Sequence, residues 1–207
     1  MPYAQRTRRP PKTLTAAEVQ KLLKVSGEHR DGFRDHLILS FALGSALRES
    51  EIVALDLRDV AKPGPNGKRL VPRRTLQLRV FKRGGGHVDP SLQRVPLSDG
   101  TYYKLDKYLA ELGGVLDGPL FLSRKHGARL STKAVRTLFK KWQRAAGFDH
   151  LYSFHHLRHT SVTAIYQATR DVRLAQRFAR HANLNTTTIY AHVSDEEIGR
   201  AAKELPS

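Results

Sequence analysis

The chain has 207 residues and a formal charge of +17, from 36 lysines and arginines against 19 acidic residues. Hydrophobic residues make up 40% and charged residues 27%, which excludes a disordered or collagen-like chain and indicates one folded domain. The absence of cysteine excludes a disulfide framework, a cysteine nucleophile and thiolate zinc sites, and the excess positive charge predicts a polyanionic partner.

The first segment, residues 1–12, is basic and proline-rich and lacks the apolar core of a secretion signal. We expect it to be an arm or linker ahead of one domain over residues 13–207. The longest apolar stretch, Leu37–Leu47, is interrupted by serine and glycine and is too short to span a bilayer. The sequence therefore predicts no membrane segment and a cytoplasmic location.

Helical signals come next along the chain. Thr15 and Glu18 form a capping box ahead of apolar residues at helical spacing, which predicts the start of the first helix. Phe33–Leu47 carries aliphatic residues on most sides, as expected of a helix buried in a core. Glu49–Leu55 continues with the same period, and Arg48 lies between these two helices.

A small antiparallel sheet or hairpin is predicted after a proline- and glycine-rich turn at Lys62–Gly67. Apolar and polar residues alternate over Thr75–Val80, glycines interrupt at Gly84–Gly86, and Gln93–Leu97 is the return strand. Three helices with N-terminal capping residues should follow, from Ser98 or Asp99 to about Leu112, from Ser131 to about Ala146, and from Asp171 to just before His181. The predicted fold class is mainly α with a small antiparallel β-sheet (α+β).

Positive charge is concentrated in two segments. Residues 68–94 contain eight lysines or arginines against one acid, and residues 133–180 contain ten against two. Solvated faces usually mix both signs, so this pattern predicts a polyanion-binding surface. Only 8% of the chain is aromatic, which favours duplex DNA over a single strand, although RNA stays open. The candidate DNA contacts are Arg79, Arg83, Arg94, Lys140, Lys141 and Arg180.

Several polar donors precede one tyrosine near the end of the chain. His155 and Arg158 form a His-x-x-Arg element, His181 follows 23 residues after Arg158, and Tyr190 nine residues after His181. With these residues the sequence resembles the catalytic domain of the tyrosine recombinases, the phage integrase family. Arg48-Glu49-Ser50-Glu51 matches the family's upstream arginine pattern, and Lys82 its hairpin lysine. The implied catalytic residues are Arg48, Lys82, His155, Arg158, His181 and Tyr190.

The resemblance implies a site-specific recombinase that cleaves and rejoins duplex DNA through a 3′-phosphotyrosyl intermediate, with neither metal nor cofactor. Tyr190 would attack the phosphorus, and Arg48 and Arg158, with the second histidine, would stabilise the charge that develops there. His155 is assigned as the base, and Lys82 would give a proton to the leaving 5′ oxygen. Glu51, by contrast, should support Arg48 or its helix.

Structural alternatives remain for these residues. Tyr190 fits a half-buried helix aromatic, Arg48 a helix C-cap, and Lys82 a simple phosphate contact. His155 and His159, four residues apart, fit a zinc site only if a third ligand exists, and no such spacing is present. Two other functions also fit the sequence: DNA relaxation of the type IB topoisomerase kind, and a non-catalytic DNA-binding regulator on the same fold.

Two features depart from the family pattern. Arg180 precedes His181, where the family usually has glycine. Only residues 1–12 precede the catalytic domain, so we expect either a truncated chain or one that resembles the minimal invertases, which lack the usual N-terminal domain. Residues 194–207 are expected to form a tail helix that docks on a neighbouring protomer. The resemblance thus implies a homotetramer on synapsed DNA in the nucleoid, with accessory DNA-bending proteins as further candidate partners.

Overall fold

The computed structural model describes residues 12–30, 32–81 and 88–180 of the chain. This part is mainly helical, and two short antiparallel sheets lie between the fourth and fifth helices. The helices are α1 (Ala16–Glu28), α2 (Phe33–Ser45), α3 (Glu49–Ala54), α4 (Leu57–Val60), α5 (Asp99–Glu111), α6 (Thr132–Ala145), α7 (His155–Thr169) and α8 (Val172–Ala179). The strands are β1 (Ala61–Pro63), β2 (Leu70–Pro72), β3 (Thr75–Phe81) and β4 (Val88–Pro96).

The predicted capping box starts α1. Glu18 N donates to Thr15 Oγ1 over 3.2 Å, and Thr15 N donates to Glu18 Oε2 over 2.7 Å. The backbone just before the cap is tied to a distant helix, because Leu14 N donates to Thr160 Oγ1 on α7 over 2.9 Å. The capping signal is therefore local, and this one hydrogen bond joins the segment before the helix to α7.

α2 runs through the hydrophobic core, as its aliphatic residues predict. Leu37, Ile38 and Phe41 are completely buried within a cluster that also takes in residues of α1, α5 and α6. The helix ends at Ala46, whose φ of 48° places it in the left-handed region. This sharp end redirects the chain, so that Arg48 becomes the N-cap of α3.

The β region differs from the prediction of one sheet. The predicted turn at Lys62–Gly67 connects β1 and β2, which form a separate two-stranded antiparallel sheet. β3 pairs with β4 in a second sheet, with a register irregularity between Leu78 and Val80. β4 begins at Val88, five residues before the predicted return strand. β1, β2 and α4 have only three or four residues each, too few to show a periodic pattern.

The last three predicted caps are all present. Ser98, Ser131 and Asp171 accept hydrogen bonds from backbone amides at the starts of α5, α6 and α8. A second hydrophobic cluster joins α7 and α8 to the end of α2, and its buried members are Ala46, Val162, Tyr166, Ala175 and Ala179. The end of α8 is thereby packed beside the junction of α2 and α3.

Residues 1–11 of the expected arm and the predicted tail helix within residues 194–207 lie outside the described residues. Among the helices of the described ranges, none combines the length and the apolar character needed to cross a membrane.

Candidate active site

A pocket of about 540 Å³ opens where the N-termini of α3 and α7 meet the side of α6. Three of the six predicted catalytic residues, Arg48, His155 and Arg158, line it together. Its full lining is Leu47, Arg48, Glu49, Ser50, Arg136, Phe139, Lys140, Tyr152, Ser153, Phe154, His155 and Arg158. Residues that are far apart in the sequence thus share one concave surface, as expected of an active site.

Arg48 reaches the pocket from the cap of α3. Its backbone N donates to Glu51 Oε2 over 2.8 Å, and its Nη1 donates to Glu51 Oε1 over 2.7 Å. The predicted support of Arg48 by Glu51 is therefore present. Because the Arg48 side chain remains 40% exposed, its guanidinium is accessible to a ligand in the pocket.

Arg158 lies beneath the pocket on the second turn of α7, with only 2% of the residue exposed. Its Nη1 donates to the carbonyl of Ala46 and its Nη2 to the carbonyl of Ala179. A guanidinium keeps its charge when buried, and its effect on a nearby phosphate grows where water is excluded. Arg158 thus links α7 to both neighbouring helix ends and places a fixed positive charge at the pocket.

His155 is the first residue of α7 and is exposed at the pocket. Partial desolvation and the charges of Arg158 and Arg48 lower the pKa of its imidazole below the ordinary value. This shift favours the neutral ring, which is the form that can accept a proton. Its ring centroid lies 4.5 Å from that of His159, edge to face. Across the described ranges, no three or more His, Asp or Glu side chains gather in a way that would hold a metal ion.

Arg180, predicted as a DNA contact, has a side chain that faces inward and is only 7% exposed in the DNA-free chain. Nη2 donates to Glu51 Oε2 over 2.8 Å and to the carbonyl of Ala46 over 2.9 Å, and Nη1 donates to the carbonyl of Ser45 over 3.1 Å. Burial alone would raise the pKa of Glu51, but the charges of Arg180 and Arg48 outweigh it and hold that pKa below its usual value.

The outer edge of the pocket carries exposed charges on α6. Lys140 was predicted as a DNA contact and lines the pocket. Arg136 was missed, although its spacing of four residues from Lys140 puts both on one helix face. Its Nε donates to both carboxylate oxygens of Glu49, over 2.9 and 3.0 Å. This ion pair joins α6 to α3 across the mouth of the pocket.

Two other predicted DNA contacts, Lys141 and Arg94, are not among the residues that line this pocket. Lys141 is exposed, with its Nζ 4.4 Å from the ring centroid of Trp142. Arg94 is exposed on β4, opposite Gln77 in the strand register. Arg79 lies on β3, and its side chain is outside the described part.

Four predicted residues, Lys82, Arg83, His181 and Tyr190, lie outside the described residues. Their roles therefore stay predictions. The chain reaches Arg180, directly before His181, within the described part.

Comparison with known proteins gives one family. The model of the phage integrase family matches residues 12–197. The tyrosine recombinase XerC of Vibrio vulnificus is 30% identical over 199 residues, which cover 94% of this chain and 58% of that protein. XerC of Proteus mirabilis is 28% identical over 192 residues, which cover 92% of this chain and 57% of that protein. The chain thus spans less than two thirds of the length of these relatives.

Solved structures show the same fold. A crystal structure of XerA recombinase superposes with a TM-score of 0.71 at 23% identity, covering 97% of this chain and 67% of that one. The XerH site-specific recombinase, in a pre-cleavage complex with its difH substrate, gives 0.73 at 22% identity, covering 99% of this chain and 57% of that one. The predicted fold, mainly helical with small antiparallel sheets, is confirmed.

Proposed function

Because the chain belongs to the phage integrase family, we propose that it is the catalytic domain of a site-specific recombinase. It cleaves and rejoins duplex DNA through a 3′-phosphotyrosyl intermediate. The observation that supports this most directly is the pocket in which Arg48, His155 and Arg158 come together. A scissile phosphate in that pocket meets two guanidiniums and one neutral imidazole.

The two arginines act on the phosphate in different ways. Attack on a phosphodiester adds negative charge to its non-bridging oxygens, so catalysis depends on positioning and on charge stabilisation. Arg48 is accessible and offers N–H donors to these oxygens. Arg158, already bonded to two carbonyls beneath the pocket, supplies positive potential that needs no rearrangement during the reaction.

The proton transfers follow from the remaining predicted residues. The phenol of Tyr190 has an ordinary pKa of about 10 and needs a base at neutral pH, and the neutral ring of His155 accepts its proton. The phenolate oxygen bonds to phosphorus, the bond from phosphorus to the 5′ oxygen breaks, and Lys82 donates a proton to that oxygen. His181 adds a further donor to the phosphate. Religation reverses these steps with a 5′ hydroxyl as the nucleophile.

Duplex DNA is the proposed partner. The charge of +17 and the exposed Lys140 and Arg136 beside the pocket supply contacts to the phosphate backbone. The XerH structure that shares this fold holds its difH substrate. We further propose a homotetramer on synapsed DNA within the nucleoid, since recombination requires four strand exchanges, and accessory DNA-bending proteins would assist that assembly.

The decisive experiment incubates the full chain with a nicked suicide duplex from the adjoining genomic repeat, followed by denaturing electrophoresis. The wild type should give a protein band shifted by covalently attached DNA. Tyr190→Phe should abolish that band, because phenylalanine has no nucleophilic oxygen. Tyr103→Phe, which removes the hydroxyl of a tyrosine that is 64% exposed on α5, should leave it unchanged.

Other outcomes would redirect the proposal. An adduct that persists in Tyr190→Phe would assign the nucleophile to another residue. Retention on duplex DNA without any adduct would favour the non-catalytic regulator. Relaxation of any supercoiled plasmid by the wild type, without a requirement for two specific sites, would favour the topoisomerase-like activity.

A further inference from the structure

We propose that Arg180 is a positioning residue for strand cleavage. Its guanidinium fixes Glu51 in the orientation that holds Arg48, and it anchors the backbone directly before His181. This inference rests on the proposed function, because Arg48 and His181 are taken as catalytic residues there.

The backbone of Arg180 requires an explanation of its own. The residue is the C-cap of α8 with φ 54° and ψ 44°, in the left-handed region that glycine adopts most readily. An arginine in this conformation has an unfavourable backbone geometry, and the contacts of its buried side chain help to offset that cost. Those contacts should therefore matter to the local structure.

The guanidinium of Arg180 is directed at the junction of α2 and α3 by both of its terminal nitrogens. Nη1 donates to the carbonyls of Ser45 over 3.1 Å and of Phe178 over 3.2 Å. Nη2 donates to the carbonyl of Ala46 over 2.9 Å and to Glu51 Oε2 over 2.8 Å. The two nitrogens thus join the end of α8 to the end of α2 and to α3.

Glu51 passes this restraint on to Arg48. Its Oε2 accepts from Arg180 Nη2 and from the backbone N of Arg48, both over 2.8 Å, and its Oε1 accepts from Arg48 Nη1 over 2.7 Å. One carboxylate is therefore held between two guanidiniums. Without Arg180, the Glu51 carboxylate would lose the donor on the side opposite Arg48. Both this carboxylate and the guanidinium of Arg48 would then be freer to rotate.

Arg158 belongs to the same arrangement. The carbonyl of Ala46 accepts from Arg180 Nη2 and also from Arg158 Nη1. Arg180 is consequently bonded to the same turn that orients both arginines of the pocket. Its burial, with 7% of the side chain exposed, separates this role from a contact with DNA.

The test measures covalent adduct formation in a single turnover at saturating nicked duplex, together with the Kd for that duplex. Arg180→Gly removes the guanidinium and at the same time relieves the left-handed backbone. We expect it to lower the cleavage rate by at least about tenfold while Kd changes by less than about threefold, since a misplaced Arg48 affects the transition state more than binding.

Two further variants act as controls. Arg170→Gly is the same substitution at another left-handed C-cap, with φ 54° at the exposed end of α7, and should keep the wild-type cleavage rate. Arg180→Lys keeps the charge but replaces the two terminal nitrogens by one, so its rate should lie between wild type and Arg180→Gly. If thermal melting shows that Arg180→Gly does not fold, the cleavage rate and the Kd of Arg180→Lys decide the test instead.

Two results would overturn the proposal. One is an Arg180→Gly protein that cleaves at the wild-type rate. The other is an Arg180→Gly protein that binds the duplex with a raised Kd, and with a shallower dependence of Kd on salt, while its cleavage rate at saturating DNA is unchanged. That combination is the signature of a lost phosphate contact.

A second readout keeps this inference separate from the proposed function. Carbon-13 NMR of the Glu51 carboxyl in the DNA-free chain should show a higher pKa in Arg180→Gly than in the wild type. If the wild type forms no adduct on any duplex, the proposed function fails, and the titration still decides whether Arg180 holds Glu51. An unchanged pKa would contradict that link.

Discussion

Beneath the candidate pocket, the guanidinium groups that donate to protein oxygens are almost completely buried, whereas the guanidinium that donates to Glu49 at its mouth is largely exposed to solvent. We call the first set the buried layer: Glu51, Arg158 and Arg180. We call the second set the pocket rim: Glu49, Arg136 and Lys140. In the buried layer, Arg158 is 2% exposed as a residue and the Arg180 side chain 7% exposed. At the rim, the Arg136 side chain is 60% exposed and that of its carboxylate partner Glu49 is 23% exposed.

The buried layer and the pocket rim therefore have different roles, although their side chains are chemically similar. The bonds of the buried layer are shielded from salt and fix the geometry of the α2–α3 turn, so their loss should affect folding and cleavage rate. The rim charges are screened by salt and contribute little to stability, so their loss should affect DNA affinity. Each prediction below tests one side of this division.

The largest effect is expected from Arg158→Ala. The substitution removes the donors to the carbonyls of Ala46 and Ala179 and leaves these buried acceptors without that partner, at a cost of about 3 kcal/mol. For a chain of this size the melting temperature should fall by roughly 6–12 °C, measured by circular dichroism, and adduct formation should be lost. Arg158→Lys should melt between the two proteins, and wild-type melting of Arg158→Ala would refute the structural role.

The next largest effect is a difference in stability between two glutamine variants, at Glu51 and at Glu49. Glu51→Gln leaves the guanidinium of Arg180 buried without its countercharge, and we expect a loss of about 2–4 kcal/mol in the free energy of unfolding. Glu49→Gln makes the same change at the rim, where the partner Arg136 is exposed, and should melt within about 2 °C of the wild type. Equal losses in urea unfolding of the two variants would break the division between layer and rim.

The same pair of variants has a distinct dependence on pH. The pKa of Glu51 is lowered in the folded chain from its ordinary value of 4.5, so folding favours the ionised carboxylate. This stabilisation is complete above the unfolded pKa and is lost as the pH falls through the lower folded pKa. Between pH 7 and pH 3 the wild type and Glu49→Gln should therefore lose more stability than Glu51→Gln. Parallel curves would contradict the assignment.

Short-range signals explain which parts of the fold could be predicted. The caps at Thr15, Ser98, Ser131 and Asp171 each bind an amide within three residues, so the sequence around them is sufficient to find them. The sheet formed by β1 and β2 was missed, since strands of three residues depend on pairing with each other and show no alternation of their own.

The candidate site shows the same limit. Arg48, His155 and Arg158 were found because their motifs match a family pattern, and the structure brings them to one pocket. Arg180 was assigned to DNA because its sequence position shows a replaced glycine but not the direction of the side chain. That direction depends on Glu51, which is 129 residues away along the chain. Contacts over such separations are set by tertiary packing, which single-sequence patterns do not contain.

The smallest expected effect concerns two neighbouring lysines of α6. Lys140 lines the pocket, whereas the Nζ of Lys141 lies 4.4 Å from the ring centroid of Trp142 and outside the pocket lining. Lys140→Gln should weaken duplex binding several-fold and reduce the slope of log K against log salt by about one, because one phosphate contact is lost. Lys141→Gln should change both quantities less. Since neither lysine belongs to the buried layer, both variants should cleave at the wild-type rate once DNA is saturating. A slower rate in Lys140→Gln would instead assign Lys140 a role in cleavage.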